Sequence, residues 1–284
     1  MPDPGAILLS LRGVSKSFRQ RHGLLGRTTP VVRALDAASL DIPRGSTLGV
    51  VGESGSGKTT LGRCILRLTD ADAGDITWHE IDGHTTDIRA LDGSALRHFR
   101  PRMQVIFQDP YHSLNPMRAV WQVVGEGLFI AGAKSRDEIR ERAAVMLESV
   151  GLTRAHLDRL PHEFSGGQRQ RIAIARALIV EPQFIVCDEI TSALDTRTQA
   201  QVLELLRTIQ ARTCVTLLFI SHDIHTVAAM SHDVVVMHAG RIVERGRPDD
   251  LFSRPQAEYT RSLVAAIPHP DPRHRTFRRP SQPA

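Results

Sequence analysis

The chain has 284 residues, 41% of them hydrophobic and 24% charged, the balance of a globular protein of one or two domains with a sizeable core. The longest apolar-rich stretch, residues 215–220, is far too short to span a bilayer, and the N-terminus lacks the charged-then-apolar plan of a secretory signal. Export is therefore not expected, and any membrane role should run through a partner. The net charge of +5 raises nucleic acid as a partner, yet much of the excess is local. Residues 268–284 carry Arg273, Arg275, Arg278 and Arg279 against Asp271 alone, a net of +3, in a proline-rich setting that reads as a disordered tail.

A basic stretch from Arg19 and Arg21 through Arg27 to Arg33 reads as a glycine-containing, solvated loop. The apolar run Thr47-Leu48-Gly49-Val50-Val51 then reads as a buried strand. It leads into Gly52-Glu53-Ser54-Gly55-Ser56-Gly57-Lys58-Thr59, followed by Thr60, which fits the phosphate-cradling pattern G-x-x-x-x-G-K-[ST]. The glycines let backbone N–H groups turn inward around phosphates, Lys58 reaches the β- and γ-phosphates, and the Thr59 hydroxyl suits Mg²⁺. Leu61, Cys64, Ile65 and Leu68 follow at helical spacing, so a helix N-terminus faces the phosphates. This stretch predicts a nucleoside triphosphate site.

From about residue 109 to 160 strand signals are few. Ser135 and Glu138 form a capping box, Ile139, Ala143, Met146, Leu147 and Val150 an apolar stripe, and Gly151 a C-terminal cap. This middle reads as a helical insertion into an α/β core with a largely parallel sheet. Ser165 with Gln168 starts a further helix, expected over residues 169–180. Phe184-Ile185-Val186-Cys187-Asp188 is an apolar strand ending on the carboxylates Asp188 and Glu189. Asp188 is placed to hold Mg²⁺, and Glu189 to orient or deprotonate an attacking water. Val202, Leu205, Leu206 and Ile209 mark the next helix, and strands are expected over residues 215–220, 233–237 and 241–244. Cys64, Cys187 and Cys214 are scattered; two sit in apolar runs and read as buried thiols of a reducing compartment. The thirteen histidines show no zinc-type pairing.

Read alone, Ser165-Gly166-Gly167-Gln168 is only a helix start. With the phosphate loop and the acidic strand end it resembles the L-S-G-G-Q hallmark of the ABC-type ATPases. The resemblance runs over about residues 7–268 and implies further elements. Phe18 matches the aromatic loop that stacks on adenine, and Gln108 the glutamine loop that contacts Mg²⁺ or the attacking water. Ser192-Ala193-Leu194-Asp195 matches the dimer-contacting D-loop, and His222 the switch histidine near the γ-phosphate. It also implies an antiparallel β subdomain on the N-terminal side. Ser165 and Gly167, with Gly166, Gln168 and Asp195, would serve ATP bound to a second ATPase subunit, a non-identical homologue or another copy, in an ATP-sandwich dimer. Where the family reads D-E-P-T this chain has Ile190, which implies a looser D-loop approach without loss of activity.

Phe107-Gln108-Asp109-Pro110 through Ser113-Leu114-Asn115-Pro116, with Tyr259-Thr260-Arg261-Ser262-Leu263, resembles the peptide and nickel importer ATPases. That implies one ATPase domain over residues 1–267, with a helical subdomain near 109–160 and a C-terminal extension near 245–267. It also implies a seat on the cytoplasmic face of the membrane beside two integral permease subunits, served indirectly by an extracytoplasmic solute-binding protein. The alternatives are an accessory ATPase of a carbon–phosphorus lyase-type complex and a nucleic-acid-associated ABC ATPase. The latter is disfavoured because no second nucleotide domain, zinc insertion or long coiled coil is visible.

Overall fold

A computed structural model describes residues 5–18, 21–22, 27–28, 31–132 and 135–266. The basic tail of residues 268–284 and much of the basic stretch after Phe18 lie outside the described residues. Within that stretch, β2 (Arg21–His22) and β3 (Arg27–Thr28) pair as a short antiparallel ribbon rather than a plain loop.

The two larger sheets among the described residues pack around one helix. Strand β1 (Ile7–Phe18) pairs antiparallel with β4 (Val32–Pro43) and, on its other side, with β6 (Ala73–His79), which continues to β7 (Thr85–Asp87). The second sheet contains β5 (Thr47–Val51), β8 (Met103–Ile106), β9 (Phe184–Asp188), β10 (Thr216–Ile220), β11 (Asp233–His238) and β12 (Arg241–Gly246). Their order is β12-β11-β5-β10-β9-β8, parallel throughout except for β12 at the edge. The expected mostly parallel sheet and the N-terminal antiparallel sheet are thus both present.

Period-two alternation divides the parallel strands between two cores. Leu48, Val50, Val186, Leu218, Ile220 and Val235 face helix α1 (Lys58–Ile65) and the antiparallel sheet, where Leu61, Cys64, Ile65, Ile76 and Trp78 are buried. Val51, Ile185, Cys187, Leu217, Phe219 and Val236 face the opposite helical layer. Helix α1 stops at Ile65. The expected fourth position of its stripe, Leu68, follows the turn after the helix and is exposed, because Arg67 takes a left-handed φ of 51°.

Helix α2 (Gly93–Phe99) lies on the α1 side, where its Phe99 ring meets Trp78 edge-on, and the helical layer follows β8. It holds α3 (Pro110–Ser113), α4 (Val120–Val124), α5 (Glu126–Ile130) and α6 (Arg136–Ser149). Ser135 caps α6 by accepting from the Glu138 amide, the stripe from Ile139 to Val150 turns inward, and Gly151 ends the helix at φ 76°. Helix α7 (Gly166–Leu178) starts three residues earlier than the periodicity alone predicts, directly at its Ser165 cap, and packs on α3, α4 and α6. Helices α8 (Thr196–Thr213) and α9 (Ile224–Met230) cover the same face of the parallel sheet. Two short helices, α10 (Pro248–Ser253) and α11 (Glu258–Ala265), follow β12. Cys64 and Cys187 are buried free thiols as expected, and Cys214 is exposed.

Candidate active site

The carboxyl ends of the parallel strands carry the chemistry. Strand β5 ends at Val51, and the loop to α1 wraps a cleft of about 440 Å³ lined by Ser54, Gly55, Gly57, Lys58, Thr59 and Thr60. Glycine is required at two points of this loop. Gly52 has φ 151°, and a Cβ there would stand 2.2 Å from the Met237 carbonyl oxygen; at Gly57, φ 105°, it would stand 2.3 Å from that of Ala34. The Gly240 amide ties the turn after β11 to the Ser56 carbonyl at 3.0 Å. The Lys58 ammonium is buried at the centre of the loop and donates to the carbonyls of Gly52 (2.7 Å) and Glu53 (2.8 Å) and to the Ser56 hydroxyl. Burial lowers its pKa, while the carboxylates of Glu189, Asp188 and Glu53 pull it back up.

Strand β9 delivers Asp188 and Glu189 to the opposite wall. The Thr59 hydroxyl donates to Asp188 Oδ1 at 2.9 Å, joining the first turn of α1 to the end of β9. Burial raises the pKa of Asp188 and its neighbour Glu189 raises it further, against the Thr59 hydrogen bond, Arg63 and Lys58. A half-buried carboxylate crowded by a second one and paired with a hydroxyl is a hard-oxygen donor set. That chemistry fits a magnesium ion which keeps most of its waters and phosphate ligands. No group of three or more His, Cys, Asp or Glu side chains among the described residues could hold a metal unaided.

Glu189 lies in the left-handed region at φ 50°, a strained setting for a side chain with a Cβ. It is held there from several sides: its amide donates to the Ile220 carbonyl at 2.9 Å, and its carbonyl accepts from the Ser192 amide and hydroxyl. Gln108 Nε2 donates to Glu189 Oε2 at 3.1 Å and to Ser192 Oγ at 3.3 Å, and His222 Nδ1 stands 3.4 Å from the same Oε2. Residues 81 and 33 positions away in sequence thus converge on one carboxylate oxygen. Ile190, where a proline was expected, is buried in the helical-side core, and the Ser192–Leu194 turn beside it closes through its own backbone hydrogen bonds.

Phe18, at the end of β1, lines the same cleft together with Val32 and Ala34. Its strand end is pinned by Asp72, whose carboxylate accepts from the Ser17 amide (2.7 Å) and the Lys16 ammonium (2.8 Å). Val32 and Ala34 carry no motif, and only the pairing of β1 with β4 places them there. Ser192, hydrogen-bonded to both Gln108 and Glu189, was legible only as a neighbour of Asp195.

The Ser165 group does not line this cleft. Ser165 is exposed at the head of α7, where its hydroxyl accepts from the Gln168 amide and its amide donates to Gln168 Oε1. Gly167 presses on α8, since a Cβ on it would lie 2.3 Å from Thr198 Cγ2. Thr198 is in turn held by Asp195, which caps α8 through the Thr198 amide (3.0 Å) and hydroxyl (2.7 Å). Gly166, half-buried, lies between Ser165 and Gly167 as the first residue of α7.

A family model described as "ABC transporter" matches residues 35–192, the span holding the phosphate loop, Gln108, the Ser165 group and both carboxylates. The chain belongs to the ABC transporter family. This ABC ATPase is 47% identical over 254 residues to the oligopeptide transport ATP-binding protein OppF of Bacillus subtilis, covering 89% of this chain and 81% of that one. It is 51% identical over 241 residues to the dipeptide transport ATP-binding protein DppF of Lactococcus lactis subsp. cremoris, covering 84% and 76%. A dimeric ATP-binding cassette solved in a post-hydrolysis state with ADP and Pi superposes with TM-score 0.71 at 27% identity, covering 85% of this chain and 99% of that one. The ABC ATPase thus shares both sequence and fold with nucleotide-binding cassettes, and no helix among its described residues is long and apolar enough to cross a membrane.

Proposed function

We propose that this chain is the ATP-binding and ATP-hydrolysing subunit of an importer that takes up peptides, seated on the cytoplasmic face of the membrane against two permease subunits. The observation that carries the catalytic part is the convergence of Gln108 and His222 on Glu189 Oε2 across a cleft whose other wall is the phosphate loop. The peptide cargo rests on the likeness to the oligopeptide and dipeptide transport proteins.

Hydrolysis of a γ-phosphate is chiefly positioning and charge compensation. In this reading the loop amides from Gly55 to Thr60 and the Lys58 ammonium hold the phosphate oxygens, and the Phe18 ring stacks on the adenine. Thr59 and Asp188, with Gln108 on the far side, would hold magnesium, which when bound neutralises oxygens of the β- and γ-phosphates. Glu189 orients the attacking water and draws its proton. Its Oε2 is engaged by Gln108 and His222, which leaves Oε1 as the acceptor.

Ser165 is exposed and Gly166, Gly167 and Gln168 are half-buried at the head of α7, and none of them lines this chain's own cleft, the disposition expected if they close over ATP held by a second ATPase subunit. Asp195, capping α8 beneath Gly167, belongs to the same contact. ATP then joins two cassettes, and its cleavage releases them to move the permease. The test is uptake of a labelled peptide in cells lacking this chain. Wild-type protein should restore uptake and Lys58→Ala should not; uptake that is unaffected by removing the chain contradicts the proposal.

A further inference from the structure

The C-terminal helix reaches the phosphate loop from outside. The Glu53 amide donates to the Tyr259 hydroxyl at 3.0 Å across 206 residues of sequence. Tyr259 sits in the first turn of α11, beyond the segment 35–192 that the family model matches. Lys58, from inside the loop, holds the Glu53 carbonyl at 2.8 Å, so the two backbone polar groups of Glu53 are gripped from opposite sides.

The position of the phenol is itself fixed. Its ring lies 4.0 Å from the His238 ring at 33°, on the β11 end whose Met237 carbonyl crowds Gly52. Tyr259 and Leu263 also pack on the helical-side core, and Thr260 between them is fully buried. The N-terminus of α11 is held by a distant carboxylate: Glu244 on β12 accepts from the amides of Gln256 (2.8 Å) and Ala257 (3.0 Å). The Tyr259 hydroxyl is therefore presented to the loop by a docked element and not by a free side chain.

We propose that Tyr259 is a positioning residue for nucleotide binding: its hydroxyl fixes the peptide between Gly52 and Glu53, and so makes the phosphate-ready shape of the loop depend on the C-terminal helix. The physical reason is preorganisation. A loop that must order itself on binding surrenders affinity to that ordering, whereas one held in advance does not. A single neutral hydrogen bond is of the size that shifts binding severalfold without deciding whether the chain folds.

The proposal rests on the nucleotide-binding reading above, and its experiment separates the two. Tyr259→Phe keeps the ring on His238 and removes only the hydroxyl. Amide exchange of the nucleotide-free full-length chain should rise in the Gly52–Ser56 segment and stay unchanged in the antiparallel sheet. The dissociation constant for MgATP should rise about three- to tenfold, with kcat at saturating ATP unchanged. Exchange and ATP affinity both equal to wild type overturn the proposal, as does faster loop exchange with unaltered affinity. If wild-type protein fails to bind MgATP at all, the nucleotide reading falls and takes the affinity claim with it. Should Tyr259→Phe loosen the whole chain, Tyr259→Leu provides the control: it removes ring and hydroxyl together, and an affinity loss no larger than that of Tyr259→Phe assigns the effect to the hydroxyl, whereas a loss seen only with Tyr259→Leu overturns the proposal.

Discussion

At the scale of single residues, Glu189 concentrates the account. It takes a left-handed backbone conformation that glycine would occupy more cheaply, and three surrounding groups, the Ile220 carbonyl and the Ser192 amide and hydroxyl, hold it there. Its carboxylate meets Gln108 and His222 on the same oxygen. Glu189→Gln keeps the shape and a hydrogen-bonding oxygen but removes the negative charge that orients and deprotonates water. Turnover should fall by about a hundredfold or more, while MgATP binding persists and MgATP-driven association of cassettes is prolonged. Steady-state phosphate release measured beside nucleotide binding checks this, and more than about a tenth of wild-type turnover would assign the base elsewhere. Lys58 and Thr59 were legible because one short motif states their chemistry. The left-handed turn at Glu189 was not, since its sequence signal is merely two acids after an apolar strand.

At the scale of elements, two junctions carry testable weight. Helices α7 and α8 approach so closely at Gly167 and Thr198 that no Cβ fits between them. Gly167→Ala should therefore cost about 1–3 kcal/mol of stability by overpacking. Adding Thr198→Ser, which removes the offending methyl and keeps the hydroxyl for Asp195, should recover most of it in thermal melts; no recovery would place the strain elsewhere. The second junction is the cap of α11 by Glu244. Burial works against the ionised carboxylate, but the Gln256 and Ala257 amides and Arg261 outweigh it, and the pKa lies below its ordinary 4.5. A carboxyl lowered on folding stabilises above the unfolded value and loses that contribution as pH falls through the folded one. Glu244→Gln should thus melt about 2–5 °C below wild type at pH 7, with the gap closing toward pH 3. A gap that is constant with pH contradicts the assignment. Strands and long helices were readable from alternation and apolar stripes, as at β5 and α6. Junctions such as these were not, because residues 31 positions apart at the first, and 12 or 13 at the second, meet there by topology and not by any local period.

At the scale of the molecule, the parallel sheet separates two tasks. Alternate residues of β5, β9, β10 and β11 bury α1 and the antiparallel sheet on one face and the helical layer on the other. The phosphate loop, Phe18 and Glu189 line one cleft at the carboxyl edge, with Asp188 hydrogen-bonded to Thr59 beside it, whereas the Ser165 group does not line it. The fold class, the order of the motifs and the family were legible in the sequence, since each motif is local and its order along the chain is informative. The pairing of β1 with β4 that brings Val32 and Ala34 beside Phe18, and the return of α11 to the loop, depend on packing that no local pattern encodes. Calorimetric titration of the purified chain with MgATP asks whether the loop holds nucleotide. One saturable site per chain is expected, weakened at least about tenfold by Lys58→Ala, which removes the ammonium from the centre of the loop. No saturable binding by the wild-type chain, or binding of equal strength by Lys58→Ala, would contradict it.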